Sequence, residues 1–217
     1  MLLMKKQFWL DSWEEGGFKT SFHRKDIHPY ILKHLPPSKL QGKVLLVPLC
    51  GKSVDLVYFA QHAQQVIGVE LSQKAVEQFF EEQGLEYQQE GSFYTSGNLT
   101  LIQGDFFNLQ PAAVGAIDWV YDRAALVALP LSMRLKYIQK LKELLPQHAQ
   151  LFINTLEYFP IKQEPPFSIS AADLAHYYGE QFDIQHLESP LVPNHGLIRC
   201  WGLDFVKEHG FLLTPRN

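Results

Sequence analysis

Gly42-Lys43-Val44-Leu45-Leu46-Val47-Pro48-Leu49-Cys50-Gly51 is a short, non-alternating apolar run closed by a glycine. A strand buried on both faces reads this way, because neither face has to meet water. Residues 53–64 follow with apolar side chains at Val54, Val57, Tyr58 and Ala60, which predicts a helix with Ser53 as its cap. Gln65-Val66-Ile67-Gly68-Val69-Glu70-Leu71 then repeats the buried strand, and residues 72–83, ended by Gly84, repeat the helix. The two strands and their crossover make a βαβ unit, and that unit decides the fold class.

Outward from it the rhythm continues. Strands are expected at 99–103, 116–121 and 149–155, with a helix at 132–145 stopped by Pro146. Parallel neighbours need long crossovers, and each crossover covers a sheet face, so the alternation predicts a doubly wound, mostly parallel α/β sheet. Beyond Thr155 the prolines 160, 165 and 166 stiffen a loop, and Ser170-Ala171-Ala172-Asp173 reads as a capping box opening a short helix. Residues 182–189 and 196–207 look like an antiparallel pair at one end of the sheet, which brings the expected total to seven strands.

The chain has 217 residues, 46% hydrophobic and 19% charged, enough for a full core and far from a disordered composition. One domain over 1–217 is expected, with residues 1–40 as an N-terminal helical lid. Nineteen basic against 23 acidic residues are scattered and leave a net charge of -4, so no footprint for nucleic acid is visible. Cys50 and Cys200 fit neither a disulfide framework nor a zinc pattern, and the nine histidines form no H-x-x-x-H pair, so no metal site is expected. No apolar run approaches the roughly 20 residues of a membrane helix and no secretory signal is seen; a soluble, cytoplasmic monomer is the expectation.

Ligands of open α/β sheets collect beyond the carboxyl ends of the strands. After the first strand, Gly51 lets backbone approach a ligand, beside the N-terminus of a helix. Gly51-Lys52-Ser53 imitates the end of a phosphate loop, but Leu46 stands where the leading glycine should be. Glu70, 19 residues after Gly51, has the spacing of a carboxylate that accepts ribose hydroxyls; it could instead serve the positive end of the following helix. Asp105 and Phe106, after the third strand, could hold an adenine base. Asp122-Arg123 ends the fourth strand: arginine there can steer an anionic substrate through its fork of donors, or form a structural ion pair. Trp9 and Trp13, four apart, are either an aromatic lid or one packed helix face. Cys50, at a strand end, reads as a packing residue rather than a nucleophile.

Taken together, Trp9-x-x-x-Trp13, Phe22-His23, Val47-Pro48-Leu49-Cys50-Gly51-Lys52-Ser53, Gly68-Val69-Glu70-Leu71-Ser72, Phe79-Phe80 and Tyr121-Asp122-Arg123-Ala124-Ala125-Leu126-Val127-Ala128 resemble the thiopurine S-methyltransferase family. The likeness continues through Pro165-Pro166-Phe167 and Trp201-Gly202-Leu203-Asp204 and covers nearly the whole chain. It implies the seven-stranded, Rossmann-like sheet of class I methyltransferases, S-adenosyl-L-methionine as cofactor, and a small aromatic or heterocyclic thiol as methyl acceptor. It further implies that Trp9 and Trp13 form a lid near the cofactor and that Leu49 and Gly51 wall its methionine end. Glu70 would bind the ribose, Asp105 and Phe106 would flank the adenine, and Arg123 would lie near the sulfonium. Phe22 would stack on a flat acceptor beside Phe167, Arg123 or Arg199 would favour its anionic form, and Asp122 would orient Arg123. In one departure, Leu197 stands where family members often have an arginine, and Arg199 lies two residues before Trp201 instead. Two other readings remain: methylation of small inorganic or metalloid anions of the selenium, tellurium or thiocyanate kind, and a cofactor-binding module without turnover.

Overall fold

The computed structural model describes residues 6–17 and 25–216. They pack as two compact units that divide after Asp118.

The first unit runs α1 (Lys6–Glu15), α2 (Pro29–His34), α3 (Pro37–Leu40), β1 (Val44–Pro48), α4 (Asp55–His62), β2 (Gln65–Glu70), α5 (Gln73–Gln83), β3 (Gln88–Glu90), β4 (Phe93–Ser96), β5 (Leu99–Gln103), a single 3-10 turn (Phe106–Asn108) and α6 (Pro111–Val114). Its strands lie in the order β3-β4-β5-β2-β1. The β1–β2 and β2–β5 ladders are parallel, whereas β3–β4 and β4–β5 are antiparallel. The apolar run of β1 is buried at Leu45, Leu46 and Val47, as a doubly covered strand requires.

Helix α5 shows how sequence becomes packing. Ser72 caps it by accepting from the Ala75 N–H, and Gly84, at φ 62°, closes it in the left-handed region that glycine enters without strain. Between the caps Ala75, Val76, Phe79 and Phe80 fall on one face and are buried. Each phenylalanine contributes about 1.5–3 kcal/mol by leaving water.

Gly68 marks a second constraint. A Cβ there would collide with Leu101 Cδ2 and stand 2.8 Å from Cys50 Sγ, so a larger residue requires these buried side chains to shift. Gly68→Ala is expected to lower stability by about 1–3 kcal/mol through overpacking. Thermal unfolding checks this, and an unchanged midpoint would mean that Leu101 and Cys50 move aside freely.

The second unit runs β6 (Trp119–Asp122), α7 (Ala125–Ala128), α8 (Leu131–Leu144), β7 (Gln150–Phe159), α9 (Ala171–Tyr178), β8 (Phe182–Glu188), α10 (Gly196–Trp201) and β9 (Phe205–Pro215). Its strand order is β6-β7-β9-β8, with β6–β7 parallel and the β7–β9 and β8–β9 ladders antiparallel. The capping box opens α9, with Ser170 and Asp173 serving each other's backbone N–H groups.

Three expectations need correction. Ser53 does not cap α4: the cap position is Val54, and Ser53 Oγ only accepts from the Asp55 N–H at 3.3 Å. Asp55 is instead buried, accepting from the His28 N–H. Residues 196–207 are not one strand, because Leu197, Ile198 and Trp201 repeat at helical spacing and pack on Tyr158, Leu203 and Val206. Hence α10 forms, ended by Gly202 at φ 63°, and the strand that pairs with β8 starts only at Phe205. Besides the seven expected strands, β3 and β4 add a hairpin whose turns place Gly91 and Gly97 at φ 59°.

Candidate active site

In the first unit the carboxyl ends of β1, β2 and β5 converge on one carboxylate. The chain leaves β1 through Leu49 at φ 47° and Gly51 at φ 53°. A leucine in that region is strained by roughly 1–3 kcal/mol and persists because its surroundings over-determine it. The Cys50 N–H donates to the Val69 carbonyl, and the Gly51 N–H donates to Glu70 Oε2 at 2.9 Å. Glu70 Oε1 accepts from the Ser72 N–H at 2.8 Å, while the Gly104 N–H donates to the Glu70 carbonyl. Glu70 therefore ties together the loops after all three strands. Burial pushes its carboxyl up from the ordinary value, and the N–H groups of Ser72, Gly51 and Leu71 pull against that rise.

Each carboxylate oxygen can accept twice, so Glu70 keeps acceptor capacity beyond the backbone donors of Gly51, Leu71 and Ser72. A ribose hydroxyl needs an acceptor of this kind. Cys50 is buried and its thiol is pushed well up, by burial first and by Glu70 second, which leaves it a neutral packing group. Lys52, the lysine of the phosphate-loop imitation, is engaged with Glu82 and Gln78 of α5.

Asp105 caps the 3-10 turn through the Phe107 N–H at 3.0 Å, and its other oxygen pairs with Lys6 of α1. At the far end of α1, Glu14 receives Lys74, near the start of α5, through both its carbonyl and its carboxylate at 3.1 Å. Helix α1 is thus held at both ends, near the carboxyl end of β5 and near that of β2. On it Trp13 is buried and Trp9 half-buried, edge-on to Phe8. Phe106 is buried beside Phe107. Phe22 lies outside the described residues.

In the second unit Asp122 ends β6 fully buried. Its Oδ1 accepts from the Ala125 and Leu126 N–H groups, both at 3.1 Å, and its Oδ2 accepts from the Tyr137 hydroxyl at 2.7 Å. Burial pushes its carboxyl up to about 6, against the pull of these three donors. The geometry makes Asp122 the brace of the turn that carries Arg123, which is half-buried.

Arg134 enters here without any announcement in the motif. It lies on the buried face of α8 with Tyr137, Ile138 and Leu141, at helical spacing that a reading by polarity assigns to solvent. Its guanidinium donates to the Leu126 and Leu129 carbonyls and to the Tyr177 hydroxyl, and lies 5.7 Å from the ring centres of Phe167 and Tyr177. The Phe167 N–H also donates to the Val127 carbonyl at 2.7 Å. One cation therefore fixes both α7 and the loop of Phe167. Arg199 lies on the exposed side of α10, away from the Tyr158 cluster that Leu197, Ile198 and Trp201 contact.

With this geometry in place, comparison with known proteins gives a single direction. Residues 4–216 match the family model described as thiopurine S-methyltransferase. The thiopurine S-methyltransferase of Shewanella amazonensis is 40% identical over 224 residues, covering 98% of this chain and 100% of its own. That of Bordetella parapertussis is 42% identical over 201 residues, covering 90% and 89%. Among solved structures, a SAM-dependent methyltransferase from Anabaena variabilis matches with a TM-score of 0.64 at 17% identity, covering 97% of this chain and 95% of its own. Magnesium protoporphyrin IX methyltransferase from Synechocystis, solved with bound SAM, matches with a TM-score of 0.65 at 15% identity over 97% and 98% of the two chains. The fold is that of the class I methyltransferases, and each unit combines parallel with antiparallel ladders.

Proposed function

Because this chain belongs to the thiopurine S-methyltransferase family, we propose that it moves a methyl group from S-adenosyl-L-methionine to the sulfur of a small aromatic or heterocyclic thiol. The observation that carries the cofactor assignment is Glu70, a buried carboxylate that braces two loops from the carboxyl end of β2 and keeps acceptor capacity beyond its backbone donors. That capacity suits a ribose hydroxyl. Leu49 and Gly51 offer backbone at the methionine end, Asp105 and Phe106 flank the base, and α1 with Trp9 and Trp13 closes over them. When bound, the cofactor supplies a methyl on a sulfonium, an electrophile that needs no further activation.

The residues of the chain then have two tasks. One is to align the sulfur with the methyl carbon, an effect of proximity that Phe167 and Phe22 serve as walls for a flat acceptor. The other is to favour the acceptor as an anion, which Arg123 does from the turn braced by Asp122, with Arg199 as a second cation. Asp122 acts through that turn, since it accepts hydrogen bonds from Ala125, Leu126 and Tyr137. The thiolate is itself a strong nucleophile, so no general base is assigned.

The test is calorimetry with S-adenosylhomocysteine, followed in the same preparation by methyl transfer to 6-mercaptopurine. Binding with transfer is the expected result. Binding without transfer would remove the thiopurine-like acceptor, and no binding would remove the cofactor assignment.

The lid contact adds a smaller prediction. Lys6 is 57% exposed, so its pair with Asp105 is worth at most about 1 kcal/mol and is screened by salt. Lys6→Ala is expected to weaken S-adenosylhomocysteine binding a few-fold in dilute buffer and by nothing in about 0.5 M salt. A difference that survives salt would show that Lys6 acts by packing instead.

A further inference from the structure

Resting on the methyl-transfer reading, we propose that Asn154 sets acceptor specificity: its Oδ1 receives a hydrogen bond from a ring N–H of a heterocyclic thiol. Asn154 is 3% exposed, and among the described residues its Oδ1 has no hydrogen-bond partner. The amide cannot simply be turned round. Its Nδ2 donates to the His209 carbonyl at 3.3 Å, and an oxygen placed there would meet another acceptor. Buried polar atoms are nearly always paired, so an unpaired acceptor of fixed orientation calls for a donor the chain does not supply.

Its place in the fold points to the acceptor. The β6–β7 register pairs Asp122 with Ile153, so Asn154 is one residue beyond the last pair, level with Arg123 at the carboxyl end. Strand alternation puts Phe152, Asn154, Leu156 and Tyr158 on one face. Below Asn154 on that face Phe152 stacks with Tyr121 at 6.2 Å, and above it Leu156 packs on the Tyr158 cluster, on which the apolar side of α10 also rests. Across the ladder its partner is Gly210, which carries no side chain. The carboxamide thus stands on the strand between a stacked aromatic pair and an apolar cluster, level with Arg123.

A site built to bond a donor discriminates strongly against analogues that lack it, because the buried acceptor is then left unpaired. The experiment measures kcat/KM for 6-mercaptopurine, its ring N-methylated analogues and benzenethiol, in wild type and in Asn154→Leu. Asn154→Leu is expected to lower the ratio of 6-mercaptopurine to benzenethiol about tenfold or more. In wild type at least one N-methylated analogue should lose a similar factor, and that loss should vanish in the variant. Equal ratios in both proteins, or no analogue that tells them apart, overturn the proposal and leave Asn154 a structural amide. Should Asn154→Leu not fold, the wild-type analogue series and Asn154→Thr, which keeps an acceptor oxygen and suits a strand, decide the matter: no wild-type discrimination overturns it. Absence of transfer to every thiol would instead strike the reading beneath.

Discussion

Replacing Glu70 with alanine is expected to weaken S-adenosylhomocysteine binding by about 1.5–3 kcal/mol, roughly ten- to a hundredfold. On the proposed reading, the direct loss is the acceptor offered to the ribose. An indirect loss adds to it, because the Gly51 and Ser72 N–H groups give up their acceptor and the loops after β1 and β2 lose their common tie. Glu70→Gln separates the two. Its amide keeps one accepting oxygen, but its NH2 has to face one of two backbone donors, so the loops are disturbed while the side-chain shape is kept. The glutamine variant is therefore expected to bind closer to alanine than to wild type. Calorimetry reads the affinity, and unfolding without cofactor reads the loops. Unchanged affinity in Glu70→Ala would take Glu70 out of the site.

Asp122→Leu is expected to lower stability by about 3–5 kcal/mol, among the largest effects of any single change in the second unit. Three buried donors, the Ala125 and Leu126 N–H groups and the Tyr137 hydroxyl, would lose their acceptor together. Asp122→Asn should cost far less. Its oxygen still serves the two N–H groups, and its NH2 can donate to a Tyr137 hydroxyl that turns to accept. The asparagine variant also isolates a pH effect whose sign is fixed. The folded carboxyl is raised from 3.8 to about 6 by burial, with Tyr137 facing it and Tyr178 nearby. Between those values the folded state binds more proton than the unfolded one, so the Asp122 contribution falls as pH rises from about 4 to about 6 and is flat above. The fall is on the order of 2–3 kcal/mol. Chemical denaturation across that range should show it in wild type and not in Asp122→Asn; parallel curves would mean that another group is responsible.

Where one physical signal dominated, the sequence could be read. The doubly buried strands β1 and β2, the caps of α5 and the capping box of α9 each follow from a few residues whose alternatives are costly. The Gly51–Glu70 spacing was read for a ribose-binding carboxylate and gave no sign that Gly51 itself donates to Glu70, a contact that arises because two adjacent parallel strands of similar length bring those positions together. Tertiary context decided the rest. Residues 196–201 carry apolar side chains in a pattern short enough to pass for a strand, and it is the Tyr158 cluster that selects the helix. Arg134 was hidden because a buried arginine with no carboxylate partner among the described residues is the least expected use of its charge, and its carbonyl acceptors come from a turn eight residues or fewer away. Asn154 was hidden for the same reason in miniature: an amide in an apolar strand carries no spacing rule.

Strands β3 and β8, each at a margin of its own unit, bear on how the molecule behaves when concentrated. Strand β3 is three polar residues, Gln88, Gln89 and Glu90, all exposed. Strand β8 breaks its ladder with a register shift between His186 and Glu188. An edge that is short and charged, or bent out of register, is a poor template for a visiting strand. Neither of these strands invites a second chain to extend it, so crowding should not turn either into a seed for fibrous assembly.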